Sequence, residues 1–338
     1  MKRFLIKFCI LFLLIDGYIT IYHFYITPRI TGGMGHLGQI TFDKEYYKRV
    51  QNTYPIHKSH VIHTQNIDSI LSIEVDNKVK RIFTIGDSFS QQKQYGYSQF
   101  LGDQLSVDIY NIRRRTKDIS PVDMFIRLVN RKEIPAQSIV VFESVERSYI
   151  DRFKDINLYD TARVDFAEIE KPKPQILNDA IQYITKALGK HQPIHRYILV
   201  ADLFSHNNRQ RTLYIYDSPW DKDGDFRFTE KYSGEDRIIA NTNLYSLHDF
   251  AEAHNIFMIF VIAADKYDVY EPFIVSGYRP HNPTLDSLPE EPWIINTKPL
   301  LQNEVAKGVK DVYYINDTHW SPVGAKIVGE EIATRINN

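Results

Sequence analysis

Val79-Lys80-Arg81-Ile82-Phe83-Thr84-Ile85-Gly86-Asp87-Ser88 opens the organised part of this chain. A compact apolar run that stops at Gly-Asp-Ser reads as a buried strand ending in a loop. Similar runs recur at 106–112 (SVDIYNI), 138–143 (SIVVFE), 256–263 (IFMIFVIA) and 312–315 (VYYI). Between them, helical spacing marks 96–105, 121–130 behind Ser120 as an N-cap, 175–188, 235–255 and 322–336. Apolar strands alternating with helices predict an α/β fold with a parallel sheet covered on both faces. Ligands bind such sheets beyond the carboxyl ends of the strands. Gly86-Asp87-Ser88 and Asn316-Asp317-Thr318-His319 are both expected at that edge.

This placement has a chemical consequence. A serine hydroxyl is a weak nucleophile until a base takes its proton. A histidine does so at neutral pH when a carboxylate holds its other nitrogen and stabilises the imidazolium. Ser88 with His319 and Asp317 is therefore the candidate catalytic set. Alone, Ser88 also reads as a helix N-cap and His319 as a loop histidine bonded to backbone. Their joint arrival at one sheet edge favours the catalytic reading.

The wider chain sets the context. Among 338 residues, 41 basic and 42 acidic side chains give a net charge of −1, and no long basic run is present, which argues against nucleic acid as a partner. The aromatic share of 13%, with 22 Tyr and 19 Phe, is read as a strand-rich core before it is read as carbohydrate binding. Cys9 is the single cysteine, which excludes an internal disulfide framework and a cysteine-based zinc site. Lys2, Arg3 and Lys7 precede an apolar run over 8–26, near the ~20 residues that cross a bilayer. The leading charges predict a cytoplasmic N-terminus and an exported remainder. Asp16 and His23 interrupt the run, and 8–15 alone resembles a signal-peptide core. No small-x-small cleavage site follows, so an uncleaved signal anchor is favoured over a cleaved peptide. Ile6-Lys7-Phe8 before Cys9 is a poor lipobox.

The expected organisation is an anchor over 1–27, a linker and irregular region over 28–78 with a short helix at 44–50, and a catalytic domain over 79–338. That domain carries a loop-rich insertion at about 190–234 and a long loop or lid at 273–300, rich in Pro and Asn. Asp221, Asp223 and Asp225 do not fit a calcium loop, because Gly224 comes too early and Glu230 falls short. His57, His60 and His63 lie where no helix fixes them as metal ligands. The sequence calls for no cofactor and no metal.

Three pieces resemble a known family. Phe83-Thr84-Ile85-Gly86-Asp87-Ser88-Phe89-Ser90 resembles the first block of the SGNH (GDSL-type) hydrolases. Asp317-Thr318-His319-Trp320-Ser321-Pro322-Val323-Gly324-Ala325 is similar to the corresponding block of the alginate O-acetyltransferase-like branch, where the Asp-x-His spacing is short. Val140-Val141-Phe142-Glu143-Ser144-Val145-Glu146-Arg147 is similar to a strand-end segment of that branch, in which an Arg follows a Glu. The resemblance implies the SGNH hydrolase fold, a flavodoxin-like three-layer sandwich. It implies acyl transfer through Ser88 to a polysaccharide hydroxyl, the acyl group being supplied by a membrane-bound O-acyltransferase partner, with the domain anchored outside the cytoplasm of a bacterial cell. Two departures stand beside it. The Gly and Asn that supply oxyanion donors in ordinary SGNH enzymes are replaced by Tyr110-Asn111-Ile112-Arg113 and Glu143-Ser144-Val145. The Asp-His block follows the Ser block, as in ordinary SGNH hydrolases and the D-alanyl-transfer proteins of lipoteichoic acid, whereas in alginate acetyltransferases it precedes it. Substrate or oxyanion roles are accordingly expected among Asp87, Asn111, Arg113, Arg147 and Trp320, with the Ser88 and Phe89 amides. An esterase with the same triad and a non-catalytic polysaccharide-binding assembly subunit remain as alternatives.

Overall fold

Elementary burial explains the sheet. A strand whose residues are apolar on both faces is stable only if both faces are covered, and β4 (Ile139–Val145) is buried at every position. In the computed structural model, six parallel strands run in the order β1-β3-β2-β4-β7-β8. These are β1 (Val61–Thr64), β2 (Ile82–Ile85), β3 (Ile109–Ile112), β4, β7 (Phe257–Ala263) and β8 (Ile294–Asn296). The structure describes residues 44–56, 58–64, 81–92, 95–112, 119–162, 164, 194–205, 210–217, 232–275, 281–315 and 317–338, together with Gly17. All elements named here fall in one unit, Gly32–Ile169 with Pro193–Asn338.

Helices flank the sheet, giving an α/β arrangement of layers. One group joins α2 (Tyr97–Leu105) to α8 (Pro322–Asn337), with α7 (Thr297–Ala306) and α1 (Lys44–Asn52) against α8 and the short α6 (Lys266–Tyr270) against α7; another joins α4 (Glu146–Phe153) to α5 (Gly234–Ala253). The helix starts follow local chemistry. Ser120 caps α3 (Pro121–Asn130) by accepting the Asp123 amide at 3.0 Å, and Ser233 with Asp236 forms a capping box on α5. The aromatic content goes into the core: Tyr46, Tyr97, Tyr149, Tyr267, Tyr270, Tyr313 and Tyr314 are among its largest fully buried side chains.

Several expectations need correction. The sixth strand is β8, within the 273–300 stretch read as a loop or lid; three residues are too few to show a period, yet Ile294 and Ile295 pair with Phe260 and Val261. The apolar run 312–315 is not a sheet strand and makes only an isolated bridge, Tyr313 to Trp320. Two of its amides go to tyrosine side chains and one to a loop carbonyl: Tyr313 N donates to the Tyr270 hydroxyl at 3.1 Å, Ile315 N to the Tyr46 hydroxyl at 3.2 Å and Tyr314 N to His319 O at 3.3 Å. The region 28–78 contributes α1 and β1 to the same unit, β1 pairing in parallel with β3. The expected insertion contains an antiparallel pair, β5 (Ile194–Leu199) and β6 (Thr212–Asp217), in a separate sheet. Gly17 apart, the expected anchor lies outside the described residues, as do the helix at 175–188 and the segment 221–230. Among the described residues no helix is long and apolar enough to cross a membrane.

The contact between α2 and α8 depends on a glycine. A Cβ on Gly329 would lie 2.8 Å from Tyr97 O and 3.1 Å from Leu101 N, both backbone atoms that cannot swing aside. Gly329→Ala should therefore destabilise by about 1–3 kcal/mol through overpacking, although alanine alone favours a helix. The measurement is a urea melt, with a lower midpoint and an unchanged slope. An unchanged or higher midpoint would show that the two helices do not meet this closely.

Candidate active site

Ser88 sits on the turn that leaves β2, and that turn is wound around a buried carboxylate. Gly86 begins it because nothing larger fits: a Cβ there would lie 2.6 Å from Glu143 Oε2 and 2.7 Å from Glu143 O. Glu143 Oε2 accepts the Asp87 amide at 2.7 Å, the Ser90 amide at 3.2 Å and the Ser90 hydroxyl at 2.9 Å. On the other side, Asn111 Nδ2 donates to Ser90 O at 2.8 Å and to Thr84 Oγ1 at 2.7 Å. Gln91 N closes the turn onto Asp87 O and Ser88 O at 3.1 and 3.2 Å. Ser88 is thus a turn residue; helix α2 has Gly96 as its N-cap.

Asp87 points away from the hydroxyl it precedes. Its Oδ2 accepts the Val145 amide at 3.0 Å, and both of its oxygens bind the Arg152 guanidinium, with Nη2 donating to Oδ1 at 2.8 Å. Arg152, in the last turn of α4, also donates to Ser144 Oγ at 2.8 Å, which ties the end of β4 and the end of α4 to the turn. Bidentate pairing of this kind fixes orientation as well as charge.

Opposite Ser88 stands the loop between α7 and α8. His319 Nε2 lies 2.7 Å from Ser88 Oγ, and His319 Nδ1 lies 2.6 Å from Asp317 Oδ1, which also accepts the His319 amide at 3.1 Å. With Nδ1–H donated to the carboxylate, Nε2 is left as the acceptor facing the serine hydroxyl. His319 and Asp317 are fully buried and Ser88 is half-buried, so the chain of three reaches solvent only at its serine end. The loop is tied by Ser321 N to Val312 O at 3.0 Å and by the buried Lys266 ammonium, which donates to Tyr314 O and Ile315 O at 2.8 Å each. Gly324 lets α8 close onto it, since a Cβ would meet Val312 O at 2.4 Å.

The structure brings Ser88, His319 and Asp317 together and sends the other named residues elsewhere. Asn111 braces the turn, and Asp87 is engaged with Arg152. Trp320 is a fully buried wall: its ring packs 4.5 Å from Phe89, itself 4.9 Å from the His319 ring, and its Nε1 donates to the Tyr313 hydroxyl at 2.9 Å. Arg147 is buried and ion-paired with Asp265. Asp265, Glu146 and Asp268 form a buried acidic cluster; burial and then Asp268 push Glu146 well up, and burial and then Asp265 push Asp268 up to about 7. Asn282 Nδ2 donates into it, to Glu146 Oε1 at 2.6 Å and Asp268 Oδ2 at 3.1 Å, while its Oδ1 accepts Thr284 N at 3.0 Å. A donor facing the acids suits a shared proton rather than a cation. Arg113 lies outside the described residues. Sequence reasoning missed Glu143 as the centre of the turn and missed Arg152 altogether; an acid closing the otherwise apolar run SIVVFE was the available signal.

What results is an α/β protein whose sheet edge carries a serine–histidine–aspartate hydrogen-bond chain. Compared with protein-family models, curated proteins and solved structures, the sequence has no match.

Burial and then the Asp87 carboxylate push Glu143 from its ordinary 4.5 up to about 8, against the opposing pull of the Ser90 hydroxyl and Arg152. A carboxyl raised on folding binds its proton more tightly in the native state. Its contribution to stability is full below about 4.5 and is lost as pH rises toward about 8. Glu143→Gln keeps an acceptor oxygen and cannot ionise. Denaturant melts across this window should show the substituted protein gaining on the wild type as pH rises. A pH-independent difference would mean that Glu143 does not titrate there.

Proposed function

We propose that this chain is a serine-dependent O-acyltransferase acting outside the cytoplasm on hydroxyls of an exported or cell-envelope polysaccharide, through an acyl-Ser88 intermediate. The observation that carries this reading is the Ser88–His319–Asp317 chain, with 2.7 and 2.6 Å links. Nε2 takes the Ser88 proton as Oγ attacks the acyl carbonyl carbon. The tetrahedral oxyanion collapses, and the His319 imidazolium gives its proton to the departing group. A sugar hydroxyl then loses its proton to Nε2, attacks the acyl-serine, and Ser88 leaves with a proton from His319. Asp317 holds the tautomer and stabilises the imidazolium in both halves. Glu143 takes the Asp87 and Ser90 amides, so the proposed oxyanion donors are the two amides between them, those of Ser88 and Phe89.

The finer fold assignment belongs to the same proposal. Setting β1 aside, the order β3-β2-β4-β7-β8 is the 2-1-3-4-5 order of flavodoxin-like sheets. Ser88 follows the strand at which that order reverses. Together with the Gly-Asp-Ser and Asp-x-His motifs, this supports an SGNH-type domain. The Asp-x-His spacing and the apolar run at 8–26 favour transfer, with the acyl group handed over by a membrane-bound O-acyltransferase partner. The order of the two motifs favours a second reading, a carbohydrate esterase that uses water as acceptor.

Incubating the full chain with an activated acetyl ester separates these readings. Intact mass should show an acetyl adduct that Ser88→Ala abolishes, and a sugar oligomer should accelerate its loss. Asp317→Asn should slow acylation by about a thousandfold or more. Rapid acetate release without sugar would replace transferase by esterase. No adduct and no turnover would leave a binding subunit.

A further inference from the structure

Helix α1 reaches the Asp317–His319 loop from the other end of the chain. Tyr46 is fully buried, and its hydroxyl donates to Asp311 Oδ1 at 3.0 Å while accepting the Ile315 amide at 3.2 Å. Asp311 and Ile315 are the two ends of the limb that rises to Asp317. At the base of that limb, Asp311 adopts a left-handed φ of 59°, its carboxylate accepts the Ser205 amide at 3.0 and 3.2 Å, and its carbonyl accepts the Ser321 hydroxyl. Next to Tyr46, Tyr47 stacks on Tyr314 with centroids 4.9 Å apart and planes 21° apart. Burial and then the charge of Asp317 push the Tyr47 hydroxyl up. Two successive tyrosines therefore clamp the limb, and Asp317 lies two residues beyond it.

From this geometry we infer that Tyr46 is a positioning residue for the Asp317–His319 pair, which makes α1, a helix ahead of the first motif, a working part of the site. The inference rests on the acyl-transfer reading for its kinetic consequence. Its geometric consequence stands apart from that reading. The limb meets the returning chain through Ser321 N to Val312 O at 3.0 Å and Tyr314 N to His319 O at 3.3 Å, while its two ends, Asp311 and Ile315, are held by the Tyr46 side chain. Removing the Tyr46 hydroxyl leaves the ring to fill its space but strips the Ile315 amide of its acceptor and Asp311 of a donor. A buried amide left this way draws the backbone toward another partner. Misplacement by about 1 Å is enough to cost a proton-transfer pair up to about a hundredfold in rate.

Tyr46→Phe in the full chain is the test. Acylation by the activated ester should fall about ten- to a hundredfold in kcat, with KM changed less than about threefold. Tyr149→Phe is the control: that tyrosine is equally buried and its hydroxyl donates to Asn241 Oδ1 at 2.8 Å on α5. It should lower the melting temperature comparably and leave kcat unchanged. A readout independent of activity is the NMR titration of His319 and its Nδ1–H signal, recorded with Ser88→Ala as background. Tyr46→Phe should shift both, and Tyr149→Phe neither. If the wild type is not acylated at Ser88, the acyl-transfer reading fails while the NMR comparison still decides the positioning role. Unchanged His319 signals in Tyr46→Phe overturn it, whatever happens to melting temperature. Should that variant not fold, Asp311→Asn keeps an acceptor for Tyr46, removes the charge, and should move the same signals in the same direction by a smaller amount.

Discussion

Glu143 lies at the carboxyl end of β4 with no exposed surface, and one of its oxygens receives three hydrogen bonds from the turn that carries Ser88. An acid is buried here only because those donors converge on it; a carboxyl without partners would cost several kcal/mol. The converse dependence is stronger. Without that acceptor, two amides of a tight turn would lose their partner in a dry site. The turn, the glycine and the acid make one unit, and Ser88 takes its place from it.

The same edge of the sheet holds further buried charge. Asp87 pairs with Arg152, Asp265 with Arg147, and Lys266 is held by backbone carbonyls of the loop that carries His319. Buried pairs add little net stability, but removal of one partner costs about 3–5 kcal/mol. Such pairs act as locks on geometry, each joining segments remote in sequence. Arg152 reaches back to the turn after β2, and Lys266 reaches forward to the last loop. The hydrophobic strands supply the stability of this domain, and the charges at their ends decide where the loops lie.

Legibility followed locality. The strand before Gly86 and the helix after Ser120 were readable because burial period, cap and breaker lie within a dozen residues. Ser88, Asp317 and His319 were readable because each sits in a contiguous motif. The run 312–315 was misread because burial looks alike whether a backbone is satisfied by a neighbouring strand or by tyrosine hydroxyls. Strand β8 was missed because three residues at a sheet edge carry no period. Asn111, Arg147 and Trp320 are polar or aromatic beside the motifs, and proximity in sequence says nothing about which partner a side chain finds.

The sequence by itself determined the alternation of strands and helices, hence the parallel sheet and the edge at which its loops converge, since hydrophobic period and local caps are properties of short segments. It also named the three groups of the candidate triad. Only the tertiary structure decided the 2.7 and 2.6 Å contacts between them, the acid beneath Ser88 and the tyrosine clamp on the last loop. The Asp317–His319 link aside, those contacts join residues 53 to 269 positions apart, and a hydrogen bond is set by distances within tenths of an ångström. Precision of that order comes from the packing of the whole domain, which no short segment encodes.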